Sequence, residues 1–448
     1  MAELAMSSSM RIKGPGAMRG ELAVPGDKSL SHRVAMLASI ARGPSHIRNF
    51  ASSMDCHSTL ACIEQLGARI ERTDQSIIIH GTGLRGYRPA EAPVHLNAGN
   101  SGSTIRMLSG ILAAQRFTSV IDGDGSLRRR PMRRIIEPLG LMGVRITATE
   151  QSFAPLTIEG AKLRAIHYAS RVASAQVKTC VLFAGLHTEG RTEFTEPALS
   201  RNHTELMLAE FGARIEVDET THLSIRIEGG TELTPVDYRV AGDVSSAAFF
   251  IAAATALADS SIVLRAVNLN PTRTAFIDML KQLGADIVIH NVRPEHGELI
   301  GDIQANSSRL KTPPQGFTIA GDIIPNLIDE IPMLAVVATQ VEGRVEVRGA
   351  KELRIKESDR IKTVVAGIRS LGGEIDEFDD GFVVQGPQRL RGSRIETEGD
   401  HRIAMAFAIA GLMADGTTEI IDADCAGVSF PEFYELLDSA TGGAQIER

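Results

Sequence analysis

Tryptophan is absent from this 448-residue chain, and aromatic residues of all kinds make up 4%. Platforms on which the bases of single-stranded nucleic acid stack are therefore not expected. Cysteine is scarce: Cys56, Cys62, Cys180 and Cys425 have neither paired metal-ligand spacing nor a disulfide framework, and read as reduced, structural thiols. An excess of positive charge is missing too. The net charge of −8 argues against a general nucleic-acid or membrane-surface role, although an acidic chain can still hold a basic cleft. Met1 to Met10 has no apolar leader core, and no long hydrophobic span follows. A cytoplasmic, unanchored protein is the expectation.

What the chain does have is repetition. At this length two domains or more are expected. Leu66-Gly67-Ala68-Arg69-Ile70 returns as Met142-Gly143-Val144-Arg145-Ile146 and Phe211-Gly212-Ala213-Arg214-Ile215. It returns again as Leu283-Gly284-Ala285-Asp286-Ile287, Leu371-Gly372-Gly373-Glu374-Ile375 and, more weakly, Gly442-Gly443-Ala444-Gln445-Ile446. Each copy reads as a helix that ends on glycine, where the backbone can take φ > 0, followed at once by a strand. The interval of roughly 70–90 residues exceeds that of short solenoid repeats.

A second repeat runs out of phase with the first. Short strands end in corners at Gly26-Asp27, Gly99-Asn100, Gly242-Asp243, Gly321-Asp322 and Gly399-Asp400, with a drifted copy at Ala173-Ser174-Ala175-Gln176. Asp, Asn and Ser cap helix N-termini by accepting from free backbone N–H groups. The helices that follow, such as Ser245 to Ala258 and Ile403 to Ala414, are apolar nearly all round and so read as buried. Strands such as Thr118 to Asp122 or Arg344 to Val347 come next, and then amphipathic helices such as Glu205 to Phe211.

One unit is therefore buried helix, strand, exposed helix, strand. Three units closing around three parallel buried helices make an inside-out α/β barrel, and six units make two such domains. The buried N-termini of a domain would then point the same way, each carrying about half a positive charge. Six facing one cleft would form an anion site. Symmetry places chain crossings near Gly26 and Ala241: residues 1–25 supply a first strand to the C-terminal half, 26–241 form the N-terminal domain and 242–448 the C-terminal one. Val292 to Gln315, polar and proline-containing, reads as a loop-like insertion.

Basic and hydroxyl residues cluster at the helix starts. They include Lys28, Ser29 and Arg33; Asn100, Ser101, Gly102, Ser103 and Arg106; Arg128 to Arg134; Ser174, Gln176, Lys178, Ser200 and Arg201; and Arg354, Lys356, Arg360 and Arg402. Such groups suit phosphates and carboxylates, which arginine grips in bidentate fashion. Lys28-Ser29 is not a P-loop, which requires Gly directly before Lys, where Asp27 stands. Asp329-Glu330 and Glu357 are acids among these bases. They can serve either as general acid and base or simply as partners of neighbouring arginines.

Pro25 to Arg33, Asn100 to Arg106, Arg130-Pro131-Met132, Arg354 to Arg360 and Asp400-His401-Arg402 together resemble the enolpyruvyl transferases over nearly the whole length. Among them, the branch acting on shikimate 3-phosphate is the most similar. That resemblance implies two inside-out domains of three βαβαββ units with the active site in the interdomain cleft. It implies that Lys28, Ser29, Arg33, Ser174, Gln176, Ser200, Arg201, Asp329 and Lys356 bind shikimate 3-phosphate. Lys28, Gly102, Arg130, Gln176, Arg360 and Arg402 would bind phosphoenolpyruvate.

On the same resemblance, Asp329 is the base for the 5-hydroxyl, Glu357 the acid/base at the methylene carbon, and Lys28 a third catalytic group. It implies no metal and no organic cofactor. The expected partners are the two small substrates, with no nucleic acid, no membrane and a monomeric chain. Two departures point to the divergent bacterial class: Cys425 to Ser429 contains no lysine, and Glu352 stands where some relatives have Asn. A UDP-N-acetylglucosamine enolpyruvyl transferase and a non-catalytic anion-binding protein of the same fold are the alternatives. The first usually has Lys-Asn in place of Lys28-Ser29, and the second would be favoured by loss of Lys28, Asp329 or Glu357, all of which are present.

Overall fold

The computed structural model describes residues 8–73, 76–443 and 445–447. Ala444 of the weakest glycine copy, and most of the Met1 to Met10 segment, lie outside them. The chain divides into two compact units. One comprises 26–241 with 294–298; the other comprises 1–25, 242–293 and 299–448. No helix among the described residues is long and apolar enough to cross a membrane.

Within the unit built on 26–241 there are three four-stranded sheets. In one, Val94–Asn97 runs parallel to Thr118–Asp122, which pairs antiparallel with Phe153–Glu159, itself antiparallel to Arg145–Thr149. The pattern recurs around Arg191–Thr195, which lies parallel to His167–Ala169 and antiparallel to Ser224–Glu228. Asp237–Arg239 returns from the end of the unit to lie parallel to Arg42–Arg48 and completes the remaining sheet. Strict alternation makes these strands one-sided: Ala154, Leu156 and Ile158 are buried while Pro155 and Glu159 face solvent.

The other unit repeats the scheme. Ser9–Gly14 pairs antiparallel with Gly416–Ile421, and Arg19–Leu22 lies parallel to Ser261–Asn268. Its third sheet has Phe317–Ile319 parallel to Gly343–Val347.

A parallel pair needs a crossover, and in four of the described sheets it is the apolar inner helix between the two strands. In the other two, Asp237–Arg239 with Arg42–Arg48 and Arg19–Leu22 with Ser261–Asn268, the paired strands lie far apart in the chain. Three inner helices fill the first unit: Lys28–Ile40, Gly102–Leu112 and Ala175–Gly185. Three more fill the second: Val244–Ala256, Ile331–Ala338 and His401–Met413. Val244 to Thr255 is buried without a break, so no face of that helix meets water. Close approach depends on small residues: a Cβ on Gly110 would stand 2.2 Å from the Cys180 carbonyl oxygen of the neighbouring inner helix.

Among the described residues six further helices lie outside the inner ones, and every described glycine signature closes one of them alike. Gly67 sits at φ +100° and donates to the Glu64 carbonyl, while Ala68 donates to Ile63. Gly143/Val144, Gly212/Ala213, Gly284/Ala285, Gly372/Gly373 and Gly442/Gly443 make the same two bonds, three and five residues back. This closure satisfies the last carbonyls of the helix.

Three expectations are corrected. Val292 to Gln315 is a loop only beyond Asn306: Asp286–Glu295 and Glu298–Asn306 form a long hairpin through its first part, turning at His296-Gly297 with both φ angles positive. Polar residues on one strand's exposed face hid the pairing. The fifth buried helix is interrupted, with Ile324–Leu327 preceding Ile331–Ala338. Finally, the amphipathic helix placed at Glu205 to Phe211 spans His203–Glu210.

Candidate functional site

The inner-helix starts collect the polar side chains. Asp27, Ser101, Asp243 and Asp400 each accept from a backbone N–H of their own first turn, at 2.8 to 3.0 Å. Ser101, not Asn100, is the cap of the second helix, and Ser174 makes no side-chain cap at the third.

In the first unit these starts are bound together. The Lys28 Nζ donates to Asp55 at 3.1 Å. Arg33 is buried; it donates to Thr204 (2.7 Å), the Ser29 carbonyl (2.8 Å) and Thr179 (3.1 Å), tying the first inner helix to the third. A chain of hydroxyls runs from His32 through Thr59 and Thr104 to Ser101, each step 2.7 Å. Burial, with the charges of Lys28 and Arg33, holds His32 neutral by pushing its pKa well down.

Gly102 opens the second inner helix. A Cβ there would lie 2.7 Å from one Arg106 guanidinium nitrogen and 3.5 Å from one of Arg130. Arg106 donates to Gln176 Oε1 at 2.9 Å, and Gln176 donates onward to Ser103 at 3.1 Å. Arg130 is buried, donating to the Asn100 side chain (2.6 Å) and carbonyl (3.2 Å). Arg128, by contrast, pairs with Asp122 on the exposed surface. Two guanidinium groups beside a side-chain-free helix start form a seat for a small anion. Ser200 donates from both its N–H (3.0 Å) and its hydroxyl (2.5 Å) to Glu196, with Arg201 next in the chain.

In the second unit Arg360 organises the acids. Its Nε donates to Asp400 at 2.8 Å, one NH2 reaches Glu357 at 2.6 Å, and NH1 lies 3.5 Å from Asp329. Burial works against the charge of Arg360, but Asp400, Glu357 and Asp329 more than offset this and raise its pKa. Lys356 is 4.0 Å from Asp329. Burial and Arg360 lower its pKa, against the pull of Asp329 and Glu357. Arg402 reaches the Ser245 carbonyl at 3.5 Å and Glu330 at 3.9 Å, so all three helix starts of this unit meet around it. Arg354 is structural: it pairs with Asp359 and Glu377 and donates to two carbonyls.

The candidate residues thus fall into two sets. Lys28, Ser29, Arg33, Gly102, Arg130, Ser174, Gln176, Ser200 and Arg201 belong to one unit; Asp329, Lys356, Glu357, Arg360 and Arg402 belong to the other. Sequence reasoning missed the side chains that hold them: Asp55 on Lys28, Glu196 on Ser200, and Asp400 on Arg360 as well as on its own helix. Only Asp400 left a signal, its position in the Gly-Asp corner.

Residues 12–437 match the family model of EPSP synthase (3-phosphoshikimate 1-carboxyvinyltransferase). The 3-phosphoshikimate 1-carboxyvinyltransferase of Solibacter usitatus is 51% identical over 429 residues, covering 96% of this chain and 98% of the relative. That of Thermodesulfovibrio yellowstonii is 48% identical over 430 residues, covering 95% and 98%. The solved structure of EPSP synthase from Acinetobacter baumannii superposes with a TM-score of 0.85 at 41% identity, covering 98% of this chain and 99% of that one. With this agreement over sequence and fold, the chain belongs to the EPSP synthase (3-phosphoshikimate 1-carboxyvinyltransferase) family.

Proposed function

We propose that the chain transfers the enolpyruvyl group of phosphoenolpyruvate to the 5-hydroxyl of shikimate 3-phosphate, releasing inorganic phosphate, with both residue sets acting on one substrate pair. The observation that carries this reading is the Arg360 cluster: Asp329 and Glu357 are two acids held by one buried guanidinium. Glu357 delivers a proton to C3 of phosphoenolpyruvate, and positive charge develops at C2. The 5-hydroxyl oxygen attacks C2 while Asp329 takes its proton. The tetrahedral adduct then expels phosphate as Glu357 takes back a proton from C3, leaving the enolpyruvyl ether.

Lys28, Arg130, Arg360 and Arg402 supply the positive groups that bind phosphoenolpyruvate and stabilise the departing phosphate. Gly102 gives that phosphate room, and Gln176 is held beside it by Arg106. Ser29, Arg33, Ser174, Arg201 and Lys356 address shikimate 3-phosphate, with Ser200 fixing the corner that carries Arg201. The reading includes a monomer working in the cytoplasm.

The test is phosphate release from the purified protein. Release with shikimate 3-phosphate and phosphoenolpyruvate, and none when UDP-N-acetylglucosamine replaces the first, is the expected result. The reverse pattern overturns the assignment.

A further inference from the structure

One ionic cluster in the first unit plays no direct part in this chemistry. Lys178, two residues beyond Gln176 on the third inner helix, is wholly buried between two glutamates. Its Nζ is 2.9 Å from Glu196 and 2.7 Å from Glu205. One cation thus stands between two buried acids, and Glu205 Oε2 has no hydrogen-bond partner. Such a cluster is a poor source of stability, because apolar side chains of similar volume fill such a space at no loss. Its geometry points elsewhere. Both donors of Ser200 end on Glu196, and the Ser200 carbonyl accepts from Lys178 at 3.4 Å. Every polar group of Ser200 is therefore fixed from below by this one ion pair. The Glu205 carboxylate pairs with the lysine, and none of the bonds described for Ser200 ends on it.

With its N–H and hydroxyl hydrogens committed to Glu196, Ser200 has no donor left for a phosphate. Arg201, the next residue in the chain, is the nearest cation in sequence to this corner. We propose that the Lys178–Glu196 pair is a positioning device: it locks Ser200 and thereby aims Arg201 at the phosphate of shikimate 3-phosphate. This rests on the substrate reading above.

The experiment measures binding of shikimate 3-phosphate and of unphosphorylated shikimate by calorimetry, with kcat and both KM values, for wild type, Glu196→Gln and Glu205→Gln. Losing a charge-assisted anchor predicts that Glu196→Gln weakens shikimate 3-phosphate about tenfold. Shikimate affinity, the KM for phosphoenolpyruvate and kcat should change by no more than about threefold, since no group that touches the reacting atoms is altered. Glu205→Gln, which disturbs the same lysine without touching Ser200, should keep its shikimate 3-phosphate affinity. Glu196→Asp, which preserves the charge, should recover part of the loss.

Unchanged shikimate 3-phosphate affinity in a folded Glu196→Gln overturns the proposal. So does an equal loss in Glu205→Gln, which would mark the cluster as structural only. If Glu196→Gln does not fold, Glu196→Asp serves in its place: a smaller loss confined to shikimate 3-phosphate is expected, and unchanged affinity overturns the proposal. A wild type that binds no shikimate 3-phosphate overturns the substrate reading and this inference with it.

Discussion

Arg360 donates to Asp400 and Glu357 and lies close to Asp329, so one buried cation sets the environment of three acids. Asp400 is committed to it, to the Ser358 hydroxyl and to the Arg402 N–H, and Glu357, also held by Arg360, is the acid proposed to exchange the C3 proton. Replacing Glu357 by Gln keeps its volume and one acceptor for Arg360. Shikimate 3-phosphate binding should therefore be retained, while phosphate release falls by about 10²–10⁴-fold, the range for loss of a general acid/base. Near-wild-type turnover would remove Glu357 from that role.

Gly102 offers a second residue-level test. The Cβ of Gly102→Ala would sit 2.7 Å from an Arg106 nitrogen, forcing that flexible guanidinium aside and filling the seat beside Arg130. The KM for phosphoenolpyruvate should rise, and inhibition by a phosphonate such as glyphosate should weaken more; unchanged inhibition curves would contradict the placement. Lys28 and Gly102 drew notice in the sequence as members of the polar clusters at helix starts, Asp329 and Glu357 as acids among bases, and their roles came from the family resemblance. Asp55 and Glu196 were not, because each matters only through a partner brought near by folding.

At the scale of elements, the glycine closures were readable since a helix end is a local event: six residues contain all the partners. The hairpin between Asp286 and Asn306 was not, because its stability comes from across the sheet. Asp302 on its second strand shows how. Its carboxylate accepts from the Ala266 N–H at 2.9 Å, from Asn291 at 2.9 Å and from Arg265 at 2.7 Å. Ala266 is the bulged residue of the neighbouring strand, at φ +49°, and its carbonyl accepts from Gly242 at the approach to the fourth inner helix. One acid therefore fixes a bulge that places a helix start.

Burial opposes the Asp302 charge, but the Ala266 N–H, Asn291 and Arg265 together lower its pKa to about 2. A carboxylate with a depressed pKa stabilises the fold above its unfolded value and loses that contribution as pH falls through the folded one. Asp302→Asn should cost about 1.5–3 kcal/mol at neutral pH, a shift of several degrees in Tm. The difference from wild type should shrink between pH 4 and pH 2, as the native carboxylate protonates. Thermal melts across that range would show it, and a gap that stays constant would contradict the assignment.

For the molecule as a whole, six similar units do not make six similar sites. The two units share sheet order, inner helices and outer helix closures, yet one carries the basic set with Lys28, Arg130 and Arg201, and the other holds Asp329 and Glu357. The period of the repeat was legible in the sequence, because glycine and cap residues recur in it. Which copies hold which chemistry could be read only from residues that break the repeat. If shikimate 3-phosphate draws on both sets, its stabilisation of the chain must depend on both. A ligand at about 100 times its Kd adds about 2.7 kcal/mol to the native state, enough to raise Tm by several degrees. Arg201→Ala in one unit and Lys356→Ala in the other should each reduce that ligand-induced rise, with little effect on the ligand-free Tm, because neither side chain is fully buried. Calorimetric melts with and without shikimate 3-phosphate measure it. A rise lost in Arg201→Ala but intact in Lys356→Ala would confine the binding energy to one unit and refute a shared substrate.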